Sequence, residues 1–85
     1  MSNVSELLKD PTIRTIGCSF TPGGRIYTYC TRQTNLKVGD IVVAAARDGR
    51  QLVKVEAIHD LPDLDQNAKF DYKFILSEPV KFVQL

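Results

Sequence analysis

From Ile13 to Val55 short runs of β-branched, aromatic and small residues alternate with polar ones and are broken by turn residues, a period-two pattern that predicts strands. Ile13 to Phe20 and Arg25 to Thr31 flank Thr21-Pro22-Gly23-Gly24, which predicts a hairpin centred on Pro22-Gly23. This register sets Cys18 opposite Tyr27 and Cys30 opposite Thr15. Because side chains alternate across a strand, Ile16, Cys18 and Phe20 are expected to share a core face with Tyr27 and Tyr29. Thr15, Gly17, Ser19 and Thr28 then line the other face.

A second hairpin follows from Asn35-Leu36-Lys37-Val38-Gly39-Asp40-Ile41-Val42-Val43, a polar turn feeding a β-branched strand, and from Arg47-Asp48-Gly49-Arg50 behind it. Asp48-Gly49 suits a type I′ turn, whose two central residues need positive φ. Strands Asp40 to Ala46 and Arg50 to Ile58 result. Pairing about that turn sets Val42 and Ala44 against Val55 and Val53 and leaves Lys54 and Glu56 on a solvent-facing side. Ala44-Ala45-Ala46 is a poor strand sequence whose small volume lets a neighbouring element approach closely.

The remaining segments are less regular. Asn3 with Glu6 offers a capping pair for a helix of about two turns, closing the domain as a lid and ending before Asp10-Pro11. His59 to Ala68 reads as an acidic loop, after which Phe70 to Leu76 and Val80 to Val83 are expected as strands separated by Pro79. Five or six short strands with one helix predict a mainly β fold, a small, strongly bent antiparallel barrel of SH3-like or OB-like kind. No repeat or linker divides residues 1–85, so one domain is expected.

Composition narrows the function classes. A chain of 85 residues buries only about 60% of its unfolded surface, leaving little room for a deep active site. No apolar run is long enough to span a bilayer, and the first residues lack a secretory leader, so a cytoplasmic location without membrane association is expected. The two cysteines are too far apart in this register to bridge and are expected as free thiols. With the single His59 they give no zinc-ligand spacing. Asp63, Asp65 and Asn67 resemble the start of a calcium loop, but Ala68 stands where its glycine belongs and Phe74 where its last carboxylate belongs. His59 beside Asp60 has no partnered nucleophile. No enzymatic activity, metal or cofactor is expected.

Charge is unevenly spread although the net value is only +1. Between Pro11 and Val55 lie Arg14, Arg25, Arg32, Lys37, Arg47, Arg50 and Lys54 against Asp40 and Asp48, whereas Glu56 to Asp71 carries five acidic residues against Lys69. The folded domain is expected to be bipolar. Arg25 adjoins one hairpin turn and Arg47 and Arg50 flank the other. Neighbouring tips would form a basic patch for a phosphate or a partner's carboxylates. Arg25, Arg32, Arg47 and Arg50, with Tyr27 and Tyr29 as the nearest aromatics, are the candidate binding residues.

Two resemblances add to this. Tyr27-Thr28-Tyr29, Leu36 to Val43, Gly49 and Leu52-Val53-Lys54-Val55 resemble the small amino-terminal DNA-binding barrel of the primosomal helicase PriA, with Ala44-Ala45-Ala46 in place of that family's Pro-Phe-Gly. The resemblance implies a barrel that binds a DNA end. The same core with Ile58-His59-Asp60 and Phe70-Asp71-Tyr72-Lys73-Phe74-Ile75 is similar to short proteins of tailed bacteriophages, which bring no assigned activity. That similarity implies an accessory protein in the host cytoplasm docking on host or viral machinery. A protein partner is the leading expectation, single-stranded DNA the alternative, and self-association through a strand edge a further route.

Overall fold

The computed structural model describes residues 2–81. It is mainly β, with one short helix, α1 (Val4–Leu8), and four strands: β1 (Arg14–Ser19), β2 (Ile26–Thr31), β3 (Ile41–Ala46) and β4 (Gly49–His59). They form a single antiparallel sheet in the order β2-β1-β4-β3, two hairpins joined through β1 and β4.

The first hairpin has the expected register, Cys18 opposite Tyr27 and Cys30 opposite Thr15. Proline presets the first turn position and Gly23, at φ 70°, takes the second, while the Gly24 amide closes the turn on the Thr21 carbonyl at 3.0 Å. Both thiols are buried and free.

The second hairpin differs by two residues. Val42 faces Val53 and Ala44 faces Gln51, so Arg47 and Asp48 are the turn residues and Ala46 pairs with Gly49. No non-glycine among the described residues has positive φ, which excludes a type I′ turn centred on Asp48. Within this turn only Gly49, at φ 114°, takes a positive φ. A shift of two preserves side-chain parity, so Val42, Ala44, Val53 and Val55 all remain in the core. The Lys37–Asp40 turn docks ahead of β3, with the Gly39 amide donating to the Val55 carbonyl at 2.8 Å and the Asp40 carboxylate accepting the Lys37 amide at 2.9 Å.

Both faces of β1 are covered. On one side Ile16, Cys18, Tyr29, Leu36, Val42, Ala44, Val53, Val55 and Ile75 make the main core, with Phe20 packed against it. On the other, Leu7 of α1 packs with Ile13 and Cys30, flanked by Leu64, Tyr72 and Phe74. Thr15, on the face opposite the main core, is therefore fully buried, its hydroxyl accepting the Asp63 amide at 2.9 Å and lying 2.6 Å from His59 Nδ1. Ser19 is buried too and donates to Glu56 at 2.9 Å. Glu56 is the extra residue of a β-bulge where the β1 pairing jumps from Ala57 to Val55.

The helix is shorter than expected, five residues, and the Asn3 side chain makes no cap bond. It is used on Tyr72 instead, donating to its carbonyl at 3.0 Å and accepting its amide at 2.9 Å.

Phe70 to Leu76 does not form a strand. Phe74 and Ile75 make isolated bridges to Cys30 of β2 and Ala44 of β3. Val80 is not in a strand either, although its amide reaches the Ile41 carbonyl at 2.7 Å, and the rest of that expected strand to Val83 lies outside the described residues. Among the described residues four strands thus stand where five or six were expected, and continuous pairing does not close the sheet. Among the described residues no helix is long and apolar enough to cross a membrane.

Candidate binding groove

The segment from Lys73 to Val80 lies between the two outer strands at one end of the sheet. Cys30 of β2 donates its amide to the Lys73 carbonyl at 2.9 Å and accepts from Ile75 at 3.0 Å. On β3, Val43 accepts from the Leu76 amide at 2.7 Å and donates to Ser77 Oγ at 2.9 Å. Toward the hairpin tips this filling stops, because the chain at Tyr72 is drawn aside onto Asn3. The outer edge of β2 is left facing an open groove of about 550 Å³.

Ile26 to Tyr29 form one wall, Ala45 to Asp48 with Gln51 another, and Phe70 to Lys73 a third. The Tyr29 hydroxyl donates to the Ala45 carbonyl at 2.9 Å, joining the two outer strands. In an antiparallel ladder alternate residues direct both backbone groups to the same side. Since Cys30 directs its own away from β1, Thr28 and Ile26 do so as well, and no described residue outside the ladder takes them. On β3 the antiparallel bridge between Ala44 and Ile75 turns the Ala45 amide to the Phe74 carbonyl, so the edge left open toward the tips is that of β2.

Of the candidate residues, Arg25, Tyr27, Tyr29 and Arg47 line this groove. Tyr27, expected in the core, is 42% exposed, whereas Tyr29 is buried at 7%. Both occupy the same face of β2, but Tyr27 lies beyond the core, held edge-on by Phe20 at 5.3 Å with the Arg25 guanidinium 5.4 Å from its ring centre. Burial foremost, then the nearby Cys18 and Tyr27, raises the Tyr29 hydroxyl above its ordinary value, keeping it a donor to Ala45.

Arg50 and Arg32 do not line the groove. Arg32 bonds Asp10 at 3.0 Å and lies 4.8 Å from the centre of the Phe74 ring. Asp10 is held below the usual carboxylate range by hydrogen bonds from the Thr12 hydroxyl and amide, with Arg32 adding to them.

The structure adds Phe70, Asp71, Lys73 and Asp48 to the groove. Phe70 is 57% exposed and tilts against Tyr72 at 5.0 Å. Their spacing in sequence resembles a strand, so nothing local marks them as groove residues. The rim carries Arg25, Arg47 and Lys73 against Asp48 and Asp71, a small positive excess rather than a strongly basic channel. None of the five is in an ion pair among the described residues.

Asp65 Oδ1 accepts the Asn67 amide at 2.9 Å, and among the described residues no group of three or more His, Cys, Asp or Glu is arranged to hold a metal ion. Burial, with a contribution from Glu56, pushes the Cys18 thiol up to about 11, and burial also raises Cys30, so neither is an activated nucleophile. Comparison with protein-family models, curated proteins and solved structures finds no match to this chain.

Proposed function

We propose that this chain is a non-enzymatic binding module that docks on another protein through the groove between β2 and β3. The observation that carries this reading is the edge of β2, where Ile26 and Thr28 turn unpartnered backbone groups toward one concave surface. Exposed Tyr27 and Phe70 supply the rigid apolar area that protein interfaces favour, and Arg25, Arg47 and Lys73 give it polarity. The reading takes the fold as a small bent barrel of SH3-like or OB-like kind. The bonds from the 73–80 segment to both outer strands support it. On this reading the partner is a host or viral protein in the host cytoplasm, the setting that the resemblance of the core and of residues 70–75 to short tailed-phage proteins implies.

A second reading, single-stranded DNA, is favoured by the exposed rings of Tyr27 and Phe70 beside cationic side chains, an arrangement on which bases can stack. The carboxylates of Asp48 and Asp71 in the same groove weigh against it, because they repel a phosphate backbone.

Affinity capture from bacterial lysate, with and without nuclease, separates the two when run on wild type and on the Arg25→Glu, Arg47→Glu double variant. The docking reading expects a stoichiometric protein that survives nuclease and is lost from the variant. Recovery of nuclease-sensitive material alone, together with salt-dependent oligo(dT) binding by fluorescence anisotropy, would replace it with the DNA reading.

A further inference from the structure

The groove is a half-filled strand position. One part of the space between β2 and β3 is taken by residues 73–77, which bond both edges, and the adjoining part is empty but keeps the same kind of backbone groups. Thr28 and Ile26 present an amide and a carbonyl each along the open edge of β2, whereas on β3 Ala45 is already taken by the bridge to residues 74–76 and by the Tyr29 hydroxyl. An open edge of this kind satisfies one side of an extended backbone.

Resting on the docking reading, we propose that the occupant is an extended acidic peptide segment of the partner, added as a short strand in line with residues 73–77. Its main chain bonds Thr28 and Ile26 of β2. Side chains of an added strand alternate between two sides. One set lies on the exposed rings of Tyr27 and Phe70 and selects apolar residues. The acidic residues of the segment meet Arg25, Arg47 and Lys73, cations that no described carboxylate pairs. The positive excess of the rim is modest, which suits a few carboxylates better than a polyanion.

The test uses the full chain against a displayed library of random heptapeptides, followed by a fluorescently labelled synthetic copy of the enriched sequence. Selection is expected to enrich peptides that alternate apolar residues with Asp or Glu. Thr28→Pro removes the amide that faces the groove while sparing the ladder to β1, a position where an edge strand tolerates proline. It is expected to weaken the labelled peptide by about tenfold or more. Thr28→Val keeps the amide and should bind as wild type. Methylating alternate peptide amides should cause the same loss in wild-type protein, which keeps the test valid if the proline variant folds poorly.

Enriched peptides that ignore both the proline and the amide methylation, yet are lost in the Arg25→Glu, Arg47→Glu variant, would overturn strand addition and leave groove docking standing. A wild-type dimer that becomes monomeric in Thr28→Pro would overturn it in favour of a second copy of this chain. Failure to enrich any peptide, with oligo(dT) bound instead, would remove both the proposal and the reading beneath it.

Discussion

The phenolic hydroxyl of Tyr29 on β2 donates a 2.9 Å hydrogen bond to the backbone carbonyl of Ala45 on β3, although these strands lie at opposite ends of the sheet order. The two outer strands therefore curve toward each other, and this contact ties them together beside the groove. Tyr29→Phe keeps the ring in the core and removes only the bond. We expect it to lower the unfolding free energy by about 1 kcal/mol, measured by urea denaturation. An unchanged stability would mean that the strands are held together by core packing alone.

Asn3 replaces a strand partner for Tyr72, using both ends of its carboxamide. Asn3→Ala leaves both backbone groups of Tyr72 unpartnered in a partly buried place, at an expected cost of about 1–3 kcal/mol. Asn3→Asp keeps the acceptor and loses the donor, so it should fall between alanine and wild type. Hydrogen exchange at the Tyr72 amide should quicken in the alanine variant.

Gly49 fixes the register of the second hairpin. At φ 114° its backbone is open to glycine and strained for any residue with a Cβ, even though no atom stands within 4 Å of where one would be. Gly49→Ala should therefore destabilise by about 1–3 kcal/mol through backbone strain rather than collision. A crowded site would be relieved by repacking its neighbours. This one should not be.

Alkaline pH probes the core directly. Cys18 is raised from an ordinary 9.0 to about 11, chiefly by burial and secondarily by Glu56. A raised folded value means that the stabilising contribution is complete below pH 9 and is lost as pH rises toward 11. Each unit of difference is worth about 1.4 kcal/mol, so wild type should lose up to roughly 2–3 kcal/mol of stability across that window. Cys18→Ala, less stable at neutral pH because of the missing sulfur, should show a shallower decline in melting temperature between pH 9 and 11. Parallel curves for the two proteins would contradict the assignment.

What the sequence revealed follows from how local each determinant is. Thr21-Pro22-Gly23-Gly24 admits one tight turn, and the first hairpin's register was legible from it. Arg47-Asp48-Gly49-Arg50 is compatible with more than one turn family, because glycine at 49 suits either a central or a following position with positive φ. The pairing therefore slipped by two while the faces stayed correct. Alternation gives the face of Tyr27 but not how far the core extends along it, so its exposure was hidden. The cover on the other side of β1, α1 and residues 63–74, has no local signature because it comes from distant parts of the chain. The Asn3 to Tyr72 link has the same character. It is what keeps residues 70–72 from continuing as a strand, and it brings Phe70 to the groove with no signal in the local pattern.

The groove as a protein-docking surface is tested most directly by site-specific photo-crosslinking in bacterial cells, with a benzophenone amino acid in place of either Phe70 or Leu61. Both side chains are exposed, and only Phe70 lines the groove. A discrete, nuclease-resistant protein adduct from position 70, absent from position 61 and from the Arg25→Glu, Arg47→Glu background, is the predicted result. Equal adducts from both positions, or an adduct at position 70 that nuclease removes, would contradict it.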